Sequence, residues 1–244
     1  PDPICPLAYP PAPHSFLEAA LAKPKRLKIT FSAEKPSHTP LHPDVAAGLA
    51  ATVKTLEALG HDVTERPLQA DWRALYRAQG AHSAGHFGAG ILAAIREGGR
   101  EPEDGDFETL TKSIIEASRR IGADRSAYGT LTLQNMVRPI MAQWEHFDVF
   151  LCPTMITPPP AIGHIDPVNL DPKEVNARQA RVFGYTPPFN MTGQPSVSLP
   201  LAWSADGLPI GMMFTGRYGD EATLLNLATQ LEEAMPWGQR RPAH

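Results

Sequence analysis

Leu27-Lys28-Ile29-Thr30-Phe31 alternates apolar and polar side chains, the period of a strand with one face on a core. A loop follows from Ser32 to His42. Pro43 and Asp44 then open a helix, because proline is preset for the first helical turn and an acid suits the positive end of the dipole. Val45, Leu49, Val53, Leu56 and Leu59 recur at helical spacing as one apolar stripe, and Gly60 is the natural cap. His61 to Glu65 reads as a second strand. Strand, helix, strand in this order predicts a parallel pair with a right-handed crossover, which makes the class α/β.

Upstream, residues 1–26 are proline-rich, with a short helix expected at Ser15–Ala22. Downstream, residues 70–147 read as mostly helical. One helix starts at Trp72 and runs past the glycine-rich patch Gly85–Gly90 to about Glu97. Two more cover Phe107–Ile121 and Ser126–Phe147, with a break near Gly122. Such a layer would cover one side of a sheet. Asp148-Val149-Phe150-Leu151-Cys152-Pro153 is a short buried strand. About thirty residues with many prolines and little periodicity follow, and a loop that long in a compact domain is usually functional. Pro195–Ala202 and Pro209–Gly216 are two further strands, with Asp206-Gly207 as the turn between them. Glu221–Ala234 is an amphipathic helix with Leu224, Leu227, Ala228 and Leu231 on its buried stripe, and Pro236 ends it.

The 244 residues suffice for a real core. A formal charge of −4 and a pI of about 6.1 give no basic stripe for nucleic acid and no polybasic segment for a membrane surface. No apolar run reaches the roughly 20 residues of a membrane span. Cys5 and Cys152 form neither a CxxC pair nor a disulfide framework, so both are expected to be reduced, in a cytoplasmic protein. Proline, 26 of 244 residues, is about twice its usual share and marks long stiff loops. The opening Pro1-Asp2-Pro3 lacks a methionine and a signal peptide, which suggests a processed chain or part of something larger.

Motifs that carry chemistry are scarce. There is no GxSxG elbow, phosphate loop or dinucleotide fingerprint. Ser83 lies in the small-residue run Ala81-His82-Ser83-Ala84-Gly85-His86, which reads as a close helix–helix contact. His82 and His86 share a helix face at a spacing that can bind zinc. The metalloprotease version, however, needs a glutamate where Ser83 stands, and no third ligand is marked. They read as surface or cavity-lining histidines, so neither a metal nor a cofactor is expected. Cys152, between an apolar strand and a proline, reads as a buried inert thiol.

The last hundred residues carry an ordered set of short patterns. Phe147-Asp148-Val149-Phe150-Leu151-Cys152-Pro153-Thr154 is similar to a strand of the amidase-signature family that ends in Thr-Pro-Thr, and Pro158-Pro159-Pro160 to the prolines after it. The run Thr186 to Pro200, with Asn190, Gly193 and Pro195 in place, resembles the family's TxxxNxxGxPaxsxP segment. Gly207-Leu208-Pro209-Ile210-Gly211 resembles GLPxG. Pro236-Trp237 and Arg241-Pro242 resemble the family's usual end, and Pro1-Asp2-Pro3 its G-x-D-P. The chain looks like the bacterial amidases and the 6-aminohexanoate-cyclic-dimer hydrolase type of that family. One departure is Met213, where the family commonly has a glutamine whose hydrogen bonds a thioether cannot make.

The resemblance implies a mixed, twisted sheet covered by helices and hydrolysis of carboxamides by a serine, a second serine and a neutral lysine. That triad sits in the family's amino-terminal half, so no catalytic residue is assigned here. Residues 1–244 are expected to be the carboxy-terminal portion of one such domain, with a helical insertion at about 70–147. Its partners would be a small-molecule amide and the amino-terminal half of the same enzyme. His86, Phe87 and Thr154 are the candidate pocket residues, on the helical segment 72–99 and the loop 154–192. For Asn190 and Gly193 the structural reading is preferred, a backbone bond and a tight bend. Alternatives are an inactive binding or assembly module and an amidotransferase-subunit-like chain. A lone half would expose sheet edges and an apolar face, which a homodimer could also cover.

Overall fold

A computed structural model describes residues 15–34, 39–103 and 105–242. Cys5 and the Pro1-Asp2-Pro3 opening lie outside them. The β-unit forms as expected: β1 (Lys28–Phe31), α2 (Pro43–Ala58) and β2 (Asp62–Glu65), with β1 and β2 parallel and Ile29 opposite Val63. A short α1 (Phe16–Leu21) precedes it. Pro43 occupies the first turn of α2, and His42 caps it by accepting the Asp44 N–H at 3.3 Å. Gly60 follows the Leu59 cap with φ of 90°, a conformation that costs glycine little. Leu59 is not on the buried face: it is the cap residue after α2 ends at Ala58, and it is 40% exposed.

β3 (Val149–Pro153) lies on the other side of β1, parallel to it, and every one of its residues is buried. β4 (Ser196–Trp203) and β5 (Pro209–Thr215) form the expected hairpin through Gly207, and β5 pairs antiparallel with β3. The result is a mixed five-stranded sheet in the order β2-β1-β3-β5-β4. The register of β4 shifts between Leu199 and Ala202, around Pro200. A proline has no N–H for the ladder, so an edge strand with an irregularity is where it fits.

One face of the sheet packs on α2 and α8 (Glu221–Ala234). Ile29, Val149, Leu151, Met212 and Phe214 meet Val45, Leu49, Leu56, Leu224, Leu227 and Leu231 there. Each such side chain, fully buried, contributes roughly 1.5–3 kcal/mol from the water it leaves. Asp220 caps α8 by accepting the Thr223 N–H, and Asn226 on α8 donates to the carbonyls of Ala19, Ala20 and Ala22 at the end of α1.

The other face carries Phe150, Cys152 and Met213, and packs on α3 (Trp72–Gly98), α5 (Ala123–Ala142) and α7 (Thr186–Thr192). α4 (Thr109–Arg120) lies on α3 rather than on the sheet. The helical layer therefore matches expectation, but two boundaries move. α5 starts at Ala123, right after Gly122, and stops at Ala142, and a single 3₁₀ turn, Gln143–Glu145, replaces its expected last turn. Asp148 then sets the register of β3: it accepts the Lys28 N–H at 2.9 Å and pairs with Arg217 at 3.1 Å. Arg217 also donates to the carbonyls of Trp144 and Phe147, which ties the helical layer to the sheet.

The segment after β3 is not a structureless loop. α6 (Pro172–Val182), capped by Asp171, and α7 lie inside it. Both begin with proline in the first turn and are short, so a search for long periodic stripes passes over them.

Candidate functional site

The parallel strands β1, β2 and β3 end on the same side of the sheet, the usual place for ligand sites in α/β folds. Thr154 stands there as the first residue past β3. Its N–H donates to the Gly211 carbonyl at 2.9 Å, and its Oγ1 hydrogen-bonds Ser198 Oγ at 2.6 Å. A Cβ on Gly211 would meet that serine oxygen at 2.6 Å and the threonine oxygen at 2.8 Å. The glycine of the Gly207–Gly211 motif therefore leaves room for the hydroxyl pair. Ser198 is exposed, and it faces outward from an edge strand.

His86 and Phe87 lie on α3, in the part that packs on α5. The small-residue run does what close packing requires: Gly85 meets Ser126, and Ala81 meets Gly129. His82 stacks on His86 at 4.2 Å between ring centroids, and its Nδ1 hydrogen-bonds Thr130 Oγ1 at 3.0 Å. Burial lowers the His82 pKa, and the neighbouring His86 adds to that. His86 lines an open groove between α3 and α5, and Phe87 is 62% exposed. No hydrogen bond or shared cavity among the described residues joins Thr154 to these two. No group of three or more His, Cys, Asp or Glu able to hold a metal occurs among the described residues.

Cys152 is fully buried, and burial pushes its thiol well above its ordinary value. Gly193 caps α7 in the left-handed conformation, φ 69°, as its tight-bend reading requires. Asn190 is different: it sits exposed on α7, and among the described residues its side chain bonds nothing. Met213 lies in the apolar cluster opposite Cys152, where a thioether fits without partners.

Sequence reasoning missed two residues. Ser198 is one; it falls within the expected strand Pro195–Ala202, but nothing in that strand marks its partner. Tyr185 is the other. It is 3% exposed and lines a cavity of about 280 Å³ beneath the ends of β1 and β2; burial pushes its phenol up, with Ser32 partly offsetting that. No charge or spacing signals a lone buried phenol.

These features define an α/β protein with a mixed five-stranded sheet and a Thr154–Ser198 hydroxyl pair at a strand end. The amidase family profile matches residues 4–225. The 6-aminohexanoate-cyclic-dimer hydrolase of Paenarthrobacter ureafaciens is 27% identical over 250 residues, 96% of this chain and 49% of its own length. The AmiC protein of Mycobacterium leprae (strain TN) is 50% identical over 156 residues, 62% of this chain and 33% of its own. A solved 6-aminohexanoate cyclic dimer hydrolase complexed with substrate superposes with a TM-score of 0.88 at 26% identity, covering 98% of this chain and 52% of that one. The chain belongs to the amidase family, the amidase-signature enzymes. It spans about half the length or less of the curated relatives it matches. Among the described residues, no helix is long and apolar enough to cross a membrane.

Proposed function

We infer that this chain forms part of an amide hydrolase that cleaves the C–N bond of a small-molecule carboxamide. It supplies half of the sheet and walls of the substrate pocket, while the serine nucleophile and its lysine lie in a partner segment, the amino-terminal half of the same enzyme. The observation that carries this is coverage: the chain matches the family along most of its length yet spans 49% of the hydrolase it resembles. Two further facts support it. Among the described residues no serine hydroxyl hydrogen-bonds a lysine, the pairing that would activate a nucleophile. Among the described residues β4 also pairs on one side only, which leaves a row of groups that another strand would satisfy.

In this reading Thr154, at the strand ends, and His86 and Phe87, on α3, face the substrate side of the assembled enzyme, and the exposed Asn190 and Ser198 meet the partner segment. The helices from Trp72 to Ala142 are an insertion that shapes the pocket. The test is amide hydrolysis by the chain alone and by a polypeptide that joins it to the amino-terminal half. Turnover only in the joined protein is expected. Turnover by the chain alone would overturn the reading.

A further inference from the structure

His82 and His86 stand one turn apart on α3, with ring centroids 4.2 Å apart. The hydrogen bonds around them fix where each neutral ring carries its proton. His86 Nδ1 lies 3.1 Å from the His82 carbonyl, which can only accept, so this nitrogen is protonated and donates. Thr130 Oγ1 spends its one proton on the Ser126 carbonyl at 3.1 Å. It therefore accepts from His82 Nδ1 at 3.0 Å, and that nitrogen is protonated too. Both rings are left with a lone pair on Nε2. No hydrogen bond among the described residues takes up either one, and His86 is exposed.

Two imidazoles at i and i+4 on a helix are a metal-binding spacing. Ligating histidines characteristically donate their other ring N–H to a carbonyl or a similar acceptor, which holds the ring in orientation. His86 does this through the His82 carbonyl, and His82 through Thr130. The centroid separation of 4.2 Å is near twice a metal–nitrogen bond of about 2.0–2.1 Å, so a rotation of the rings lets both Nε2 atoms reach one ion.

We propose that His82 and His86 form an open site for one divalent transition metal ion, bound through both Nε2 atoms with water in its other positions. A resident zinc centre takes three or four protein ligands and this pair supplies two, so the ion is exchangeable. Imidazole suits copper, nickel and zinc, whereas magnesium and calcium prefer oxygen ligands. The ion bridges one turn of a helix that contains Gly80, Gly85, Gly88 and Gly90, residues that loosen a helix interior. Binding to the folded chain therefore raises its melting midpoint. The site stands whether or not the protein cleaves amides, and it is measured without turnover.

The experiment titrates the intact gene product with zinc chloride and with magnesium chloride, by calorimetry and by thermal melts. Zinc is expected to fill a saturable site and raise the melting midpoint, and magnesium at the same concentrations to do neither. His86→Ala, at an exposed position, should weaken that zinc site at least tenfold and remove the midpoint shift. Thr130→Val keeps both rings and removes the acceptor of the His82 Nδ1 proton; zinc should bind about tenfold more weakly. His164→Ala, at another exposed histidine, should bind zinc as the wild type does. Unchanged zinc affinity in a folded His86→Ala or Thr130→Val, an equal loss in His164→Ala, magnesium binding as well as zinc, or no saturable zinc site would each overturn the proposal.

Discussion

Thr154 and Ser198 share a hydrogen bond of 2.6 Å that joins the end of β3 to the outer strand β4, across a position where β5 has only Gly211. Gly211→Ala should push the two oxygens apart, since the new Cβ would lie within 2.6–2.8 Å of both. The expected loss is about 1–3 kcal/mol of folding stability, read from the midpoint of denaturant unfolding. A midpoint equal to wild type would mean that the strands shift freely there.

Thr154→Val keeps the shape and removes one partner of that pair. It should cost about 1 kcal/mol of stability. In the assembled enzyme it should also raise KM, because Thr154 stands on the proposed substrate side. An unchanged KM would remove Thr154 from the pocket and leave it a structural role only.

Two glycines in the helical layer should respond with opposite signs. At Gly129 a Cβ would meet the Ala81 side chain at 2.9 Å, the His82 nitrogen at 3.1 Å and the Ala78 oxygen at 3.3 Å; two of the three are backbone and cannot yield. Gly129→Ala should therefore destabilise by about 1–3 kcal/mol although alanine favours the helix. Gly90 has nothing within 4 Å, so Gly90→Ala should stabilise by about 0.5–1 kcal/mol. Thermal melts of both variants check the pair.

His61 is 6% exposed, and its Nδ1 accepts the Leu27 N–H at 3.2 Å. Burial lowers its pKa below the ordinary 6.5, with Gln230 partly offsetting the effect. The unfolded chain thus binds a proton at a pH where the folded chain does not. The stability this group lends is full above pH 6.5 and is lost as pH falls through that value toward the lowered folded one. Melting midpoints from about pH 8 to about pH 5.5 should fall less steeply in His61→Leu than in wild type. Parallel curves would contradict the assignment.

Much of the sheet was legible because its signals are local. β1, β3, β4 and β5 each carry a run of apolar residues bounded by turn formers, and Pro43, Gly60 and Gly207 stand where caps and turns need them. The helices α6 and α7 were not legible: α6 spans 11 residues and α7 spans 7, too short for periodicity to stand out among prolines. The site was harder still. Thr154 was reached through its place after β3, but Ser198 lies 44 residues away, and only the β3-β5-β4 pairing brings the two hydroxyls together. Tyr185 shows nothing in sequence, since its burial at the cavity is a property of the packed fold.

The central claim is that this chain shapes an amide-hydrolysing site whose nucleophile lies elsewhere. A fluorophosphonate that traps activated serines tests it most directly. The intact gene product is labelled and the modified serine is mapped by peptide mass. The account predicts an adduct on a serine outside these 244 residues and none on the chain alone. An adduct on a serine within the chain, Ser83 or Ser198 among them, would contradict it.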